Sequence, residues 1–266
     1  MYSSSRLILK YLQYYISASN GKGHGTHSPF VFEFITKVLN DTDSYPAYRK
    51  VEQLRSRLLH DRSLLNILDF GAGSSSGNSN QRTIATIAKR AAKPKKYGQL
   101  LYRMITKYQP ALVAELGTSL GITSSYLALA GEPSGNVVSF EGAPEIARVA
   151  QQNFKDLGLQ NIRLIEGNFD DTFSSWLQQQ RVIDFCFIDG NHRREPTIRY
   201  FEWLLPKTSG HSILVFDDVH WSAEMEQAWE EIKNHKSVRC TIDLFFIGIV
   251  FFRDEFREKQ HFRIRF

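Results

Sequence analysis

The sequence predicts an α/β fold built on a mostly parallel sheet. Three observations carry that reading. From Pro110 onward, short apolar runs alternate with amphipathic segments of helical length. Two runs in the chain end in glycine loops, and two others end in aspartates. The first 108 residues lack this alternation and read mostly as helices. Strands alternating with helices need crossover connections, and such connections make neighbouring strands parallel. The chain therefore divides, by pattern, into an N-terminal helical region at 1–108 and a sheet-forming domain at 109–266.

The elements follow in order. Leu7, Ile8, Tyr11, Leu12 and Tyr15 recur at helical spacing, as do Val31, Phe32, Ile35 and Val38. Between them, 20–28 holds Gly21, Gly23, Gly25, His24 and His27, a loop signature. Ser28 and Pro29 supply an N-cap and a first-turn proline for the second helix. A third helix is expected at 47–60, then a short strand at 65–70 and a glycine and serine run at 71–79. Beyond Pro110, strands are expected at 112–116, 137–140, 162–166, 183–188 and 212–216. Helices near 124–130, 144–157, 172–179, 196–205 and 222–234 alternate with them. Residues 241–252 read as two short strands around a tight turn near 245–248, an antiparallel end to the sheet. In the tail at 261–266 phenylalanine alternates with arginine, which reads as an edge strand or a docking tail.

Composition bounds the function. A chain of 266 residues with 42% hydrophobic, 23% charged and 13% aromatic content can bury a sizeable core and is neither disordered nor collagen-like. The longest apolar run, 244–252, contains Gly248 and falls far short of the roughly 20 residues that span a bilayer. Tyr11, Gln13, Tyr14 and Tyr15 interrupt any signal-peptide order at the start. Cys186 and Cys240 form neither a metal knuckle nor a disulfide framework, which fits a reducing cytoplasm. A net charge of +5 leans toward an anionic partner without naming one.

Ligands of open α/β sheets bind at the carboxyl ends of strands, so the glycine loops compete for that role. The first, Leu68-Asp69-Phe70-Gly71-Ala72-Gly73, is followed by a polar run, and no strand ending in a carboxylate comes about twenty residues later. The second, Glu115-Leu116-Gly117-Thr118-Ser119-Leu120-Gly121, opens directly into a helix, and the next strand ends in Glu141. Glycine lets the backbone approach a ligand, and a carboxylate one strand over can accept from both ribose hydroxyls. The spacing departs from the dinucleotide fingerprint G-x-G-x-x-G, which argues against a nicotinamide site. The plainer alternative is that Gly117 and Gly121 merely open a helix.

Glu115-x-Gly117-x-x-x-Gly121 with Glu141 resembles the class I S-adenosylmethionine-dependent methyltransferases. Over about 95–252 the chain looks like their catechol-type and related small-molecule O-methyltransferases. The resemblance implies a Rossmann-like, mostly parallel seven-stranded sheet whose last strand runs antiparallel, with S-adenosylmethionine as cofactor. It would place Gly117, Thr118, Ser119 and Gly121 along the methionine and ribose, and Glu115 near the amino group. Glu141, with Gly142 beside it, would hold the ribose, and Asn168 and Phe169 would edge the adenine.

Two further strand ends are acidic: Asp189, followed by Gly190-Asn191-His192, and Asp217-Asp218, followed by Val219-His220. Carboxylates converging on one rim repel one another unless a cation sits among them, and oxygen ligands favour magnesium, calcium or manganese. The resemblance likewise implies a divalent metal, here Mg2+, at Asp189, Asp217 and Asp218, with paired aspartates as in related sugar O-methyltransferases. The alternative has Asp189 binding the cofactor amine while Asp217 and Asp218 cap the next helix. One related branch has a general base two positions after the first metal aspartate, where this chain has Asn191. His192 and His220 are the replacements, so the catalytic candidates are Asp189, His192 and His220.

Between 82 and 107 lie eight cations, Arg82, Lys89, Arg90, Lys93, Lys95, Lys96, Arg103 and Lys107, and no acid. This favours either a solvated helix face or an RNA backbone contact. The loop Ile188-Asp189-Gly190-Asn191 lacks the Asn/Asp-Pro-Pro-aromatic pattern of base-directed N-methyltransferases. The expected acceptor is therefore a small molecule. An RNA-directed enzyme and a non-catalytic assembly module remain the rivals, and the N-terminal tyrosines could cover the site or a homodimer partner.

Overall fold

The computed structural model describes residues 1–23, 27–67, 81–91, 93–131, 133 and 135–266. In chain order they form α1 (Ser4–Ser17), α2 (Pro29–Phe34) running into a π-helical turn at Ile35–Leu39, α3 (Pro46–His60), β1 (Leu64–Asn66), β2 (Gln81–Thr83), α4 (Ile84–Ala91) and α5 (Lys95–Tyr108). There follow β3 (Leu112–Leu116), α6 (Ile122–Gly131), β4 (Asn136–Glu141), α7 (Pro144–Asp156), β5 (Ile162–Glu166) and α8 (Phe169–Gln178). The last elements are β6 (Phe185–Ile188), α9 (Arg194–Leu204) with a 3-10 turn at Leu205–Lys207, β7 (Ile213–Asp217), α10 (Ala223–Asn234), β8 (Cys240–Asp243), β9 (Ile247–Phe251) and β10 (Gln260–Arg263). The fold is α/β and Rossmann-like with mostly parallel strands, and its first part is helical. The first glycine loop, 68–73, and His24 lie outside the described residues.

The chain packs as two compact units, one of Thr42–Trp176 and one of Met1–Asp41 with Leu177–Phe266. The sequence boundary near 108 falls inside the first of these.

In the Thr42–Trp176 unit, β3, β4 and β5 are all parallel, with Leu112 opposite Asn136 and Val137 opposite Ile162. The buried residues of β3, Val113 to Leu116, explain its continuous apolar pattern: both faces of the strand are covered. Helices α3 and α5 pack on α6, around a core that includes Val51, Leu54, Leu58, Tyr102, Leu120 and Tyr126. Gly98 permits the close approach of α5, since a Cβ there would sit 2.6 Å from the Tyr126 ring. β1 and β2 form a short antiparallel pair.

In the other unit the strand order is β10-β8-β9-β7-β6. β6 and β7 are parallel, and β9 inserts antiparallel to both β7 and β8. The antiparallel strand expected at 241–252 is β9, and the tail adds β10, parallel to β8. Helix α1 is tied to this end of the sheet. The Tyr14 hydroxyl donates to the carbonyls of Asp243 and Ile264, and Ser19 bridges Ile264. Ser28 caps α2 through its Oγ, 3.3 Å from the Val31 N–H, with Pro29 in the first turn.

Candidate functional site

In the Thr42–Trp176 unit the loop after β3 is built from three left-handed residues: Gly117 at φ 105°, Ser119 at φ 47° and Gly121 at φ 80°. The N–H groups of Gly117 and Thr118 both donate to the Phe140 carbonyl at 3.0 Å, which pins the loop to the end of β4. At Gly121 any Cβ would lie 2.6 Å from Phe154, so glycine is required by both angle and space.

Glu115 is fully buried beneath this loop. The hydroxyls of Ser124 and Ser139 both donate to its Oε2, and Thr118 Oγ1 lies 2.5 Å from Ser139 Oγ. Its Oε1 has no hydrogen-bond partner among the described residues. Burial pushes the Glu115 carboxyl up to about 7, against the two serine hydrogen bonds, which favour the charged form.

Glu141, at the end of β4, accepts from the Ser119 N–H at 2.8 Å through Oε2 and from the Ala143 N–H at 2.9 Å through Oε1. One carboxylate thus joins the glycine loop to the start of α7, with the partly buried Gly142 between. The backbone of β4 also holds the next strand end, because the Gly167 N–H donates to the Glu141 carbonyl at 2.9 Å. Asn168 caps α8 by accepting from the Asp170 N–H at 3.1 Å, and the half-buried Phe169 opens that helix. Within this unit the cofactor residues read from the sequence therefore occupy three adjacent strand ends.

In the other unit Asp189, His192 and the buried Asp217 gather their ligand atoms within 4.8 Å of one another. Asn191 at φ 69° and His192 at φ 40° turn the chain back after β6, so His192 Nε2 comes to 3.5 Å from Asp189 Oδ1. Asp218 stands outside this group. It takes φ 56°, its N–H donates to the Phe246 carbonyl at 2.7 Å, and its carbonyl accepts from the Trp221 N–H at 2.9 Å. The acidic set read from the sequence was Asp189, Asp217 and Asp218; the group the structure assembles has His192 in place of Asp218.

His220 has a different environment from the one a base needs. Its Nε2 lies 2.8 Å from Asp243 Oδ2 and its Nδ1 3.0 Å from Glu226 Oε1, while its ring stacks on Phe245 with centroids 5.1 Å apart. Burial opposes the charged ring, but the two carboxylates outweigh it and raise the imidazole to about 9. Both nitrogens then donate, so no lone pair is left to take a proton. Glu226 also accepts from the Tyr2 hydroxyl at 2.7 Å and from Lys10 at 2.9 Å. Sequence reading missed Asp243, Glu226, Lys10 and Tyr2 because they come from β8, α10, α1 and the segment preceding α1. The only local signal was an aspartate at a strand end.

The basic segment is partly absorbed into packing. Arg103 is buried with its guanidinium 3.4 Å from the Tyr48 hydroxyl. The Lys96 ammonium sits 5.0 Å above the Tyr97 ring, and burial lowers its pKa.

Residues 114–219 match the protein family described as a methyltransferase domain. Among curated proteins, a catechol O-methyltransferase of Niastella koreensis is 27% identical over 46% of this chain and 55% of its own. A catechol O-methyltransferase of Mycobacterium tuberculosis is 28% identical over 49% of this chain and 58% of its own. The matched region thus spans little more than half the length of either relative. Among solved structures, an O-methyltransferase from Bacillus cereus in complex with SAH has a TM-score of 0.56 at 18% identity, covering 84% of this chain and 97% of that one. An SAH-bound methyltransferase of Podospora anserina has a TM-score of 0.60 at 13% identity, covering 85% and 97%. These likenesses show the fold.

Proposed function

We propose that this chain, whose residues 114–219 match a methyltransferase-domain family, transfers a methyl group from S-adenosylmethionine to an oxygen of a small molecule. The observation that carries the reading is the buried Glu115 carboxylate, whose Oε1 has no hydrogen-bond partner among the described residues, beneath a left-handed glycine loop latched to Glu141. A buried acceptor without a donor is costly, and the cofactor's ammonium is a donor of the required kind. Glu141 would hold the ribose hydroxyls through the second lone pairs of oxygens already fixed by Ser119 and Ala143. Gly167, Asn168 and Phe169 would border the adenine. The small-molecule O-methyltransferases among its relatives support the acceptor class.

The donor set of two carboxylates and an imidazole at Asp189, Asp217 and His192 fits a divalent cation. Oxygen donors suit Mg2+, and the added nitrogen admits Mn2+ as well. When bound, the sulfonium supplies an already activated methyl group, and the cation lowers the pKa of the acceptor hydroxyl. Asp189 and Asp217 would supply the negative charge that retains the cation, and His192 would complete the set through a ring nitrogen. The work of the protein is otherwise alignment, because in-line approach to the methyl carbon is an orientational demand. The 3.5 Å contact between His192 and Asp189 favours a second reading, in which Asp189 orients His192 as general base without a metal.

Thermal unfolding with S-adenosylmethionine tests the reading, with Mg2+, Mn2+ or EDTA, followed by transfer assays on phenolic acceptors. Cofactor at a hundred times its dissociation constant should add about 2.7 kcal/mol of stability. The absence of any shift with the cofactor removes the proposal. Transfer that persists undiminished in EDTA replaces the metal with the His192 base.

A further inference from the structure

The exposed face of α1 has no role in the reading above. Helix α1 is apolar on two sides. One side, with Leu7, Tyr11 and Tyr14, packs on Phe245 and Phe246. The other turns Ile8, Leu9, Leu12, Tyr15 and Ile16 outward, from 48% exposed at Tyr15 to 78% at Ile16. Spacings of three, four and seven residues place these five on one stripe about two turns long. Isolated surface leucines are ordinary, but a contiguous stripe of five large apolar side chains on one helix marks a docking surface.

The charge around the stripe selects its occupant. Residues 1–32 contain Arg6, Lys10 and Lys22 and no aspartate or glutamate. Arg6 is exposed at one end of the stripe, with its guanidinium 4.4 Å above the Tyr2 ring. At the other end the Arg265 guanidinium lies 4.6 Å above the ring of Tyr15 and its Nε donates to the Tyr15 carbonyl at 2.7 Å. A second copy would set arginine against arginine, because an antiparallel pairing brings Arg6 to Arg265 and a parallel one brings each to its own kind. An anionic surface meets both ends favourably. Tyr15 adds a ring with a polar tip, suited to the level of lipid headgroups. The helix has 14 residues and is not long or apolar enough to cross a membrane, so it would lie in the interface plane.

We infer that α1 is a peripheral membrane-binding helix that seats Ile8, Leu9, Leu12, Tyr15 and Ile16 in an anionic lipid surface, with Arg6 and Arg265 on headgroup phosphates. The inference is independent of the catalytic reading, since none of these residues belongs to the glycine loop or the Asp189 group.

Co-sedimentation of the full chain with phosphatidylcholine vesicles, with and without phosphatidylglycerol, tests it. The chain should pellet with the anionic vesicles and be released by 0.5 M salt, about the concentration at which surface charges are screened within a few ångströms. The Leu12→Glu/Ile16→Glu variant changes only exposed positions, so its thermal unfolding should match wild type while its vesicle binding drops about tenfold or more. The Arg6→Glu variant should lose the preference for anionic over neutral vesicles. Three results overturn the inference: no binding to anionic vesicles, equal binding by the double glutamate variant, or a stable dimer by light scattering that this variant dissolves.

Discussion

His220 Nε2 lies 2.8 Å from Asp243 Oδ2, at the point where the loop after β7 meets the end of β8. On the other side of the ring Nδ1 reaches Glu226, so one imidazolium links two carboxylates. Burial works against both charges, yet the ring is held at about 9 and Glu226 at about 2. A histidine raised above its ordinary 6.5 contributes stability that is whole below that value and is lost as pH climbs through about 9. A glutamate lowered from 4.5 contributes above that value and loses it as pH falls toward about 2. The melting temperature of His220→Gln should therefore trail wild type most near pH 5 to 6, with the gap closing by pH 9 to 10 (a range set by the two shifts). A gap that does not vary with pH would show that the ring acts by packing on Phe245 alone.

Glu115 runs the opposite way. Its carboxyl is raised from 4.5 to about 7, so the folded state binds the proton more tightly than the unfolded chain. Stability then falls as pH rises from 4.5 toward 7 and levels off above. Glu115→Gln cannot ionise and should lack that decline, becoming the more stable protein at pH 8. Denaturant midpoints of the two proteins at pH 5 and pH 8 check the sign. A wild type as stable at pH 8 as at pH 5, relative to the variant, contradicts it.

Gly121→Ala should cost about 2 kcal/mol or more, since the new methyl combines a left-handed φ with a collision against Phe154. Gly158→Ala separates the two causes. Its φ is 72° with no atom within 4 Å of the added carbon, so only the strain of about 1 kcal/mol remains. Chemical denaturation measures both; equal losses would mean that the Phe154 contact relaxes without cost.

Glu141→Gln tests the ribose assignment. A glutamine side chain keeps one acceptor oxygen but cannot accept from both the Ser119 and Ala143 N–H groups. The apo protein should lose about 1 kcal/mol, and the cofactor affinity about tenfold or more. Calorimetric titration gives the second number, and an unchanged affinity would remove Glu141 from the cofactor site.

Much of the fold was legible because its signals are local. Apolar runs bounded by glycine and acid mark β3 to β7, and Ser28-Pro29 marks the start of α2 by cap chemistry that needs no tertiary context. The positive φ of Gly117 and Gly121 follows from residue type in the same way. The role of Asp218 was not legible. Adjacent aspartates look equivalent in a sequence, but β7 ends at Asp217, and Asp218 takes a left-handed turn in which its backbone N–H donates to the Phe246 carbonyl. Nor could the sequence show that His220 is consumed by Asp243 and Glu226, because those partners lie on different elements. What decides such cases is which side chains long-range packing delivers, and periodicity carries no record of that.

Asp217→Asn is the sharpest test of the metal reading. The buried Asp217 carboxylate carries one of the two negative charges in the group with Asp189 and His192. An asparagine is close to isosteric and keeps one oxygen, but it removes the charge that offsets a dication's desolvation. In the wild type, Mn2+ or Mg2+ should raise the melting temperature even without S-adenosylmethionine, since the three donors belong to one unit of the chain. In Asp217→Asn that rise should shrink or vanish, while the cofactor's own shift, measured in EDTA, stays. His192→Ala should weaken Mn2+ more than Mg2+, because nitrogen ligation matters more to the softer ion. Metal shifts that survive Asp217→Asn would place the cation elsewhere, and equal effects of His192→Ala on both ions would remove the imidazole from the donor set.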